Sequence, residues 1–278
     1  MAARLATEPL SQGLGQPVVV DNRTGASGNI AYNYVAQARP DGYTLLASYS
    51  MYHAGNPSLF TGLHWNTDSF VPVGMVAVAP HVVVVHPDLP VHNLQELVDY
   101  AKAHPGEVNY ASQGSGSVPH VGTELLSQMT GIKVTHVPYK GSGPAIQDVL
   151  AGRVQLFITT PPSVMGHIQQ GKLRAIAVAG RERHPMLPDV PTSAEQGFPN
   201  FELEAWVSLF APAGTPDDVV QRLTTVLQQG LQSSKVEESA RGAGIEVRYQ
   251  SPAELGETVT RETKYWTDVI KKAGIVAN

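Results

Sequence analysis

Tyr110–His120 reads YASQGSGSVPH. An apolar run ends at Ala111, the chain continues Ser112-Gln113-Gly114-Ser115-Gly116-Ser117, and a helical pattern starts near Val118. A strand that breaks into a small Gly/Ser turn and opens a helix is a cradle for anions. Glycine lets bare backbone approach a ligand. The first-turn N–H groups of a helix have no intrahelical partner and carry partial positive charge. Ser112, Gly114, Ser115, Gly116, Ser117 and His120 are therefore candidate binding groups. A second segment of this kind, NRTGASGNI over Asn22–Ile30, follows Val18-Val19-Val20 and nominates Gly25, Ala26, Ser27, Gly28 and Asn29. Two such cradles point to a small acidic ligand held largely by main-chain amides. Either segment would equally serve as an ordinary turn.

Three further loops carry polar groups. Pro138-Tyr139-Lys140-Gly141-Ser142-Gly143-Pro144 joins a strand to a helix. There Lys140 offers a cation and Tyr139 an aromatic wall with a hydroxyl, against the plainer reading of a solvated turn. Ile158-Thr159-Thr160-Pro161-Pro162-Ser163 places the Thr159 and Thr160 hydroxyls at a strand end, although a helix cap behind a rigid Pro pair explains it too. Ser48, Ser50 and His53, in SYSMYH, end another strand, and α/β sheets bind ligands in loops at the carboxyl ends of strands.

Other chemistries are absent from the sequence. Gly114 and Gly116 do not open a dinucleotide fingerprint, because Pro119 stands where the third glycine is needed, and no Gly-Lys-Ser/Thr follows for a P-loop. Gly114 and Gly116 flank Ser115 directly, which is not the G-x-S-x-G spacing of a hydrolase nucleophile. The ten histidines form no metal-binding pattern, and zero cysteines removes disulfides and thiolate chemistry. No catalytic residue, cofactor or metal is expected. A net charge of −5, with no basic cluster beyond Lys271-Lys272, argues against nucleic acid. No segment approaches 18 continuous apolar residues, and residues 1–20 show no signal peptide.

The 278 residues, 42% hydrophobic and 15% charged, suit one large or two medium globular domains. Apolar runs alternate with helical stretches, the pattern of an α/β fold with mostly parallel pairing. Strands are expected over 18–20, 44–48, 71–79, 82–86, 108–111, 133–137, 155–159, 173–179, 206–211 and 247–249, with Pro80 separating the third from the fourth. Helices are expected over 3–14, 29–38, 94–104, 118–129, 144–151, 163–170, from Pro216 to Leu231, and from Ser251 to about Lys272, with a short one near Ser193–Gln196. Asn93 and Glu96 read as a capping box. The simplest organisation is a discontinuous first domain, 1–82 with 207–278, and an inserted second domain, 83–206. The chain would then cross twice, with a ligand cleft at the hinge.

At this point the motifs are recognisable together: GQPVVVDNRTGASGNI (15–30), ARPDGYTLL (38–46), LQELVDYAKAHPGEVNYASQGSGSVPH (94–120), VTHVPYKGSGPAIQDVLAGRV (134–154), GHIQQGKLRAIAVAG (166–180), LPDVPTSAEQGFP (187–199) and WVSLFAPAGTP (206–216). The chain resembles the Bug family of extracytoplasmic solute receptors, the TctC-like substrate-binding proteins of tripartite tricarboxylate transporters, along essentially its whole length. The resemblance implies a two-lobed, type II periplasmic-binding-protein-like clamshell. It implies a non-enzymatic, periplasmic receptor, and a monomer is expected because delivery to a transporter needs an accessible cleft. Such a receptor takes a small carboxylate (an amino acid, a di- or tricarboxylate or an aromatic acid) and delivers it to membrane transporter subunits or a sensory system. It also implies that the 24–29, 48–53, 112–117 and 159–161 loops, with Tyr139 and Lys140, line the cleft.

The sequence departs from the family pattern at its start. That pattern opens with a signal peptide, a first strand and a Gly-rich loop of the form PPGG, whereas this chain begins at Met1-Ala2-Ala3-Arg4-Leu5, inside the first helix. Thr24 also stands where the family commonly has Pro. Two expectations follow: a start that lies upstream, or a truncated relative with impaired binding. A third reading, an enzyme acting on a small acyl or phosphoryl anion, lacks a base–nucleophile pair.

Overall fold

A computed structural model describes residues 2–23 and 25–275. Thr24, the first residue of the 24–29 loop, lies outside the described residues. In chain order the elements are α1 (Ala2–Leu14), α2 (Asn29–Ala36), β1 (Leu46–Tyr49), α3 (Ser50–Ala54), α4 (Asn56–Leu59), β2 (Phe70–Val85), α5 (Leu94–Ala103), β3 (Asn109–Ser112), α6 (Val118–Thr130), β4 (Thr135–Pro138), α7 (Ser142–Leu150), β5 (Leu156–Thr159), α8 (Pro161–Gln169), β6 (Arg174–Ala179), β7 (Glu204–Pro212), α9 (Asp217–Leu231), α10 (Ser234–Gly242), β8 (Glu246–Val247) and α11 (Pro252–Ala273). The chain divides into two compact units. One comprises residues up to Val78 with Ala205–Asp268, the other Ala79–Glu204 with the chain from Val269 onward.

The first unit is built on antiparallel ladders, β1 with β7 (Leu46 opposite Phe210, Ser48 opposite Ser208) and the first half of β2 with β8. Its two faces follow the period-two alternation of β7. Leu209 and Ala211 join Leu5, Leu10, Val73, Val76, Leu223, Leu227 and Leu231 in an aliphatic layer, while Trp206 and Phe210 join Tyr32, Trp65, Phe70 and Leu255 in an aromatic one. Helices α1 and α9 pack closely in the aliphatic layer because Gly230 and Gly13 present no Cβ there. An added Cβ would stand 2.2 Å from Pro9 Cβ and 2.3 Å from Val226 Cγ1, respectively.

In the second unit β3 runs parallel to β4 and β5, while the second half of β2 pairs antiparallel with β5 and β6. Its core gathers Val82, Val84, Ala111, Ile146, Val149, Phe157, Val164 and Val178, each worth roughly 1.5–3 kcal/mol on burial if of Val to Phe size. The capping box at α5 forms with a twist. Asn93 Oδ1 accepts from the Glu96 N–H at 2.8 Å, but Glu96 reaches back to the N–H of His92, 2.7 Å away, rather than to that of Asn93.

Four expectations are corrected. Pairing is mixed rather than mostly parallel, the parallel ladders being those of β3. The runs 71–79 and 82–86 form one 16-residue strand that continues through Pro80. Pro80 supplies no N–H, and it sits where β2 exchanges one set of partners for another, the next N–H being that of His81, which bonds Leu203 O at 2.9 Å. Residues 18–20 are extended but unpaired: Val18 N–H donates to Ser11 Oγ at 2.9 Å, and Val19 is 83% exposed. Ser50 starts a short helix where a loop was expected, so β1 is followed at once by α3.

Candidate functional site

The turn between β3 and α6 is shaped by contacts within itself. Gly114 and Gly116 have φ of +125° and +79°, a region that L side chains avoid. Gly114 N–H donates to Ser112 Oγ at 3.1 Å, and Gly114 O accepts from the Ser117 N–H and hydroxyl at 3.2 and 2.7 Å. Gly116 N–H donates to His120 Nδ1 at 3.0 Å. Three amides nominated from the sequence are thus engaged internally. Ser115 is exposed and makes no such bond among the described residues, which leaves its N–H and hydroxyl without a partner there. The neighbouring β4–α7 loop is tied to this turn, because Gln113 Nε2 donates to Ser142 Oγ at 2.7 Å and Tyr139 N–H to Ser112 O at 3.0 Å. Gly141, at φ +108°, leads into α7, which starts without a side-chain cap. Gln113 and Ser142 were not singled out from sequence, since nothing local couples residues 29 positions apart.

Tyr139 and Lys140 diverge in role. The Tyr139 hydroxyl donates to Asp148 Oδ2 at 2.8 Å, and that carboxylate also receives Arg153 at 2.8 Å. Desolvation and the Asp148 contact push the Tyr139 phenol up to about 12. Lys140 is exposed, with no ion pair among the described residues. At the next strand end Thr159 is fully buried and its Oγ1 has no partner among the described residues, while Thr160 lies beside Ser163 Oγ at 3.4 Å. Pro161 and Pro162 remove two N–H groups from the start of α8, leaving hydroxyls as the main polar groups there.

In the other unit, the turn before α2 carries a run of positive φ: Gly25 +120°, Ala26 +47°, Ser27 +51° and Gly28 +85°. A non-glycine residue in this region costs of order 1–3 kcal/mol and persists only when its surroundings over-determine it. Asn56 Nδ2 donates to Ser27 O at 2.9 Å and to Asn29 Oδ1 at 3.1 Å, and Trp65 Nε1 donates to the same Asn29 oxygen at 3.0 Å. Gly28 N–H closes on Gly25 O at 3.0 Å. The N–H groups of Ala26 and Ser27 make no hydrogen bond among the described residues. Asn56 and Trp65 lie about thirty positions from the turn, and no local pattern connects them to it.

Ser48 and His53 lie inside the aromatic layer, both at 0% exposure, and Ser50 is buried nearby. Ser48 Oγ bonds Tyr32 OH at 2.6 Å and His53 Nδ1 at 3.0 Å. The imidazole stacks on Phe210 at 4.2 Å, and its Nε2 has no partner among the described residues. Burial pushes His53 down to about 3, so it is neutral at pH 7. The described residues contain no cluster of His, Cys, Asp or Glu able to hold a metal.

Residues 2–275 match the family described as the tripartite tricarboxylate transporter family receptor, TctC. The chain belongs to this family. The fold of this TctC receptor is that of solved periplasmic binding proteins. It superposes on the Rhodopseudomonas palustris protein Rpa4515, solved with adipate, with a TM-score of 0.91 at 38% identity, over 100% of this chain and 93% of that one. MatC from the same organism, solved with bound malate, gives 0.86 at 34% identity over 97% and 93%. The periplasmic binding protein BugD gives 0.87 at 34% identity over 100% and 93%. A TctC receptor binds a solute and is not an enzyme, in line with the reading from sequence.

Proposed function

We propose that this TctC receptor works in the periplasm as a monomer, binds a small dicarboxylate and hands it to a tripartite tricarboxylate-type membrane transporter. The observation that carries the reading is the adipate held by a protein 38% identical over the whole chain. The malate held by MatC agrees with it. The polar inventory supports an acidic solute as well. Among the described residues the N–H groups of Ala26, Ser27 and Ser115 make no hydrogen bond, and these with the hydroxyls of Ser115 and Thr160 are donors of the kind a carboxylate accepts from, directly or through water, whereas Thr159 is fully buried. The remaining nominated residues act as supports. Asn29, Gly25 and Gly28 shape the turn of the first unit, where Ser48, Ser50 and His53 are buried; Ser112, Gly114, Gly116, Ser117 and His120 shape the turn of the second, where Tyr139 bonds Asp148 and Lys140 is exposed.

Titration calorimetry against adipate, malate, succinate, citrate, glutamate and benzoate tests this reading. One-to-one binding of a diacid, tighter than that of the other acids, is the expected result. A folded protein that binds none of the six would refute it.

A further inference from the structure

Beneath the Gly114–Ser117 turn lies a stack of three rings. Tyr110 of β3 stands opposite His136 of β4 in the parallel register, and the two rings stack at 4.9 Å. His120, in the first turn of α6, packs against His136 at 3.9 Å with the ring planes 8° apart and lies 6.4 Å from Tyr110. The stack is anchored by Tyr110 OH, which donates to Glu124 Oε1 at 2.7 Å. Both imidazoles direct one nitrogen at the turn. His120 Nδ1 accepts the Gly116 N–H at 3.0 Å, and His136 Nε2 lies 2.6 Å from Ser112 Oγ.

The proton positions follow from counting donors. Ser112 Oγ has one hydrogen and three contacts: Gly114 O at 3.2 Å, Gly114 N–H at 3.1 Å and His136 Nε2. All three are met together when the hydroxyl donates to Gly114 O and accepts from Gly114 N–H and from a proton on His136 Nε2. His120, accepting at Nδ1, is neutral with its proton on Nε2. The environment agrees. Desolvation lowers His120 to about 4. It also lowers His136 to about 4, helped by the neighbouring His120 and opposed by Glu124. Glu124, Tyr110 and the two imidazoles are the titratable groups this stack brings together.

A Gly/Ser turn is otherwise costly to hold in one shape, since Gly loses the most backbone freedom on ordering. We propose that His120 and His136 are positioning residues that lock the Gly114–Ser117 turn, through Gly116 N–H and Ser112 Oγ, in the shape that presents Ser115 to a carboxylate. This rests on the dicarboxylate reading above. A ring that served only packing could be phenylalanine. A ring that must accept from Gly116 could not, and neither could a protonated imidazole.

The test uses His120→Phe and His136→Phe, which keep a stackable ring, against His120→Asn and His136→Gln, whose amides place a polar atom where Nδ1 or Nε2 stood. Adipate is the titrant at pH 7. The dissociation constant is expected to rise tenfold or more in the Phe variants and less than threefold in the amide variants. Native-state amide exchange of Gly116 is expected to quicken at least tenfold in His120→Phe and to stay at the wild-type rate in His120→Asn. Below pH 5 the wild type should lose affinity relative to His120→Asn, a ratio from which the diacid's own protonation cancels. If the Phe variants do not fold, the wild type alone decides through its imidazole 15N shifts. Those should show both rings neutral at pH 7, each with its proton on Nε2; a proton on His120 Nδ1 overturns the proposal. Folded Phe variants that bind adipate like the wild type also overturn it, and leave the dicarboxylate reading standing. A wild type that binds no carboxylate but shows the stated exchange and tautomers refutes the dicarboxylate reading and leaves the locking of the turn intact.

Discussion

Asn56 Nδ2 donates to the carbonyl oxygen of Ser27, 29 residues earlier, at 2.9 Å, and so clamps a residue whose φ and ψ of 51° and 42° lie in the left-handed region. The same amide group reaches Asn29 Oδ1, where Trp65 also arrives. Asn56→Ala removes both bonds. A lost buried partner costs about 1–3 kcal/mol, and urea denaturation should report a loss in that range. The freed turn should exchange its Ala26 and Ser27 amides faster and bind diacid more weakly.

Gly230→Ala places a methyl group 2.2 Å from Pro9 Cβ, where α1 and α9 meet. Neither the backbone of α9 nor the pyrrolidine ring can yield that distance without separating the helices. Overpacking of this kind costs about 1–3 kcal/mol. The midpoint of thermal unfolding should fall, with adipate affinity in the still-folded protein unchanged.

Acid should destabilise the protein through its buried imidazoles. Burial lowers His53 to about 3 and His81 to about 4, from an ordinary 6.5. Between the ordinary and the lowered value the unfolded chain binds more protons than the native one, so stability falls as pH drops from about 6.5, the His81 share levelling off below about 4 and the His53 share below about 3. Each such imidazole contributes at most about 1.4 kcal/mol per pH unit in that window. Denaturant titrations at pH 7, 6 and 5 measure the slope, and His53→Phe should reduce it by one imidazole's share.

Lys140→Ala separates grip by a cation from grip by amides and hydroxyls. Lys140 is exposed, and an exposed charge contributes about 0–1 kcal/mol. Adipate affinity should therefore change less than fivefold, with a modest fall in salt sensitivity, because the screened attraction is gone. A hundredfold loss would place the lysine at the centre of recognition.

Much of this architecture was legible because local signals agreed with burial. The Asn93/Glu96 cap and the apolar periodicity of α6, α9 and α11 each coincide with a described element, while α8 starts at Pro161, two residues before the expected 163, because both prolines fit its first turn. Helix α10 was missed because its sequence, SKVEESARG, buries only Val236 and Ala240, an i,i+4 pair too sparse to stand out. Val18–Val20 reads as a strand by composition, yet β-propensity records fit to a pairing strand, and among the described residues these find none, Val18 alone packing on the aliphatic layer. Pro80 reads as a break until its neighbours show that β2 needs no N–H at that position. In the candidate site, the Gly/Ser turns were legible as turns. What sequence could not reveal was where their amides point: Gly114, Gly116 and Ser117 turn inward because Ser112, His120 and Gly114 O, brought close by the turn itself, receive them.

The central claim is that main-chain N–H groups and small hydroxyls receive a carboxylate. Its most direct test is an amide-resolved 15N–1H titration of the folded protein with adipate. The account predicts saturable shifts at Ala26, Ser27 and Ser115, larger than those elsewhere in the chain. Saturable binding that leaves those three amides unmoved would contradict it.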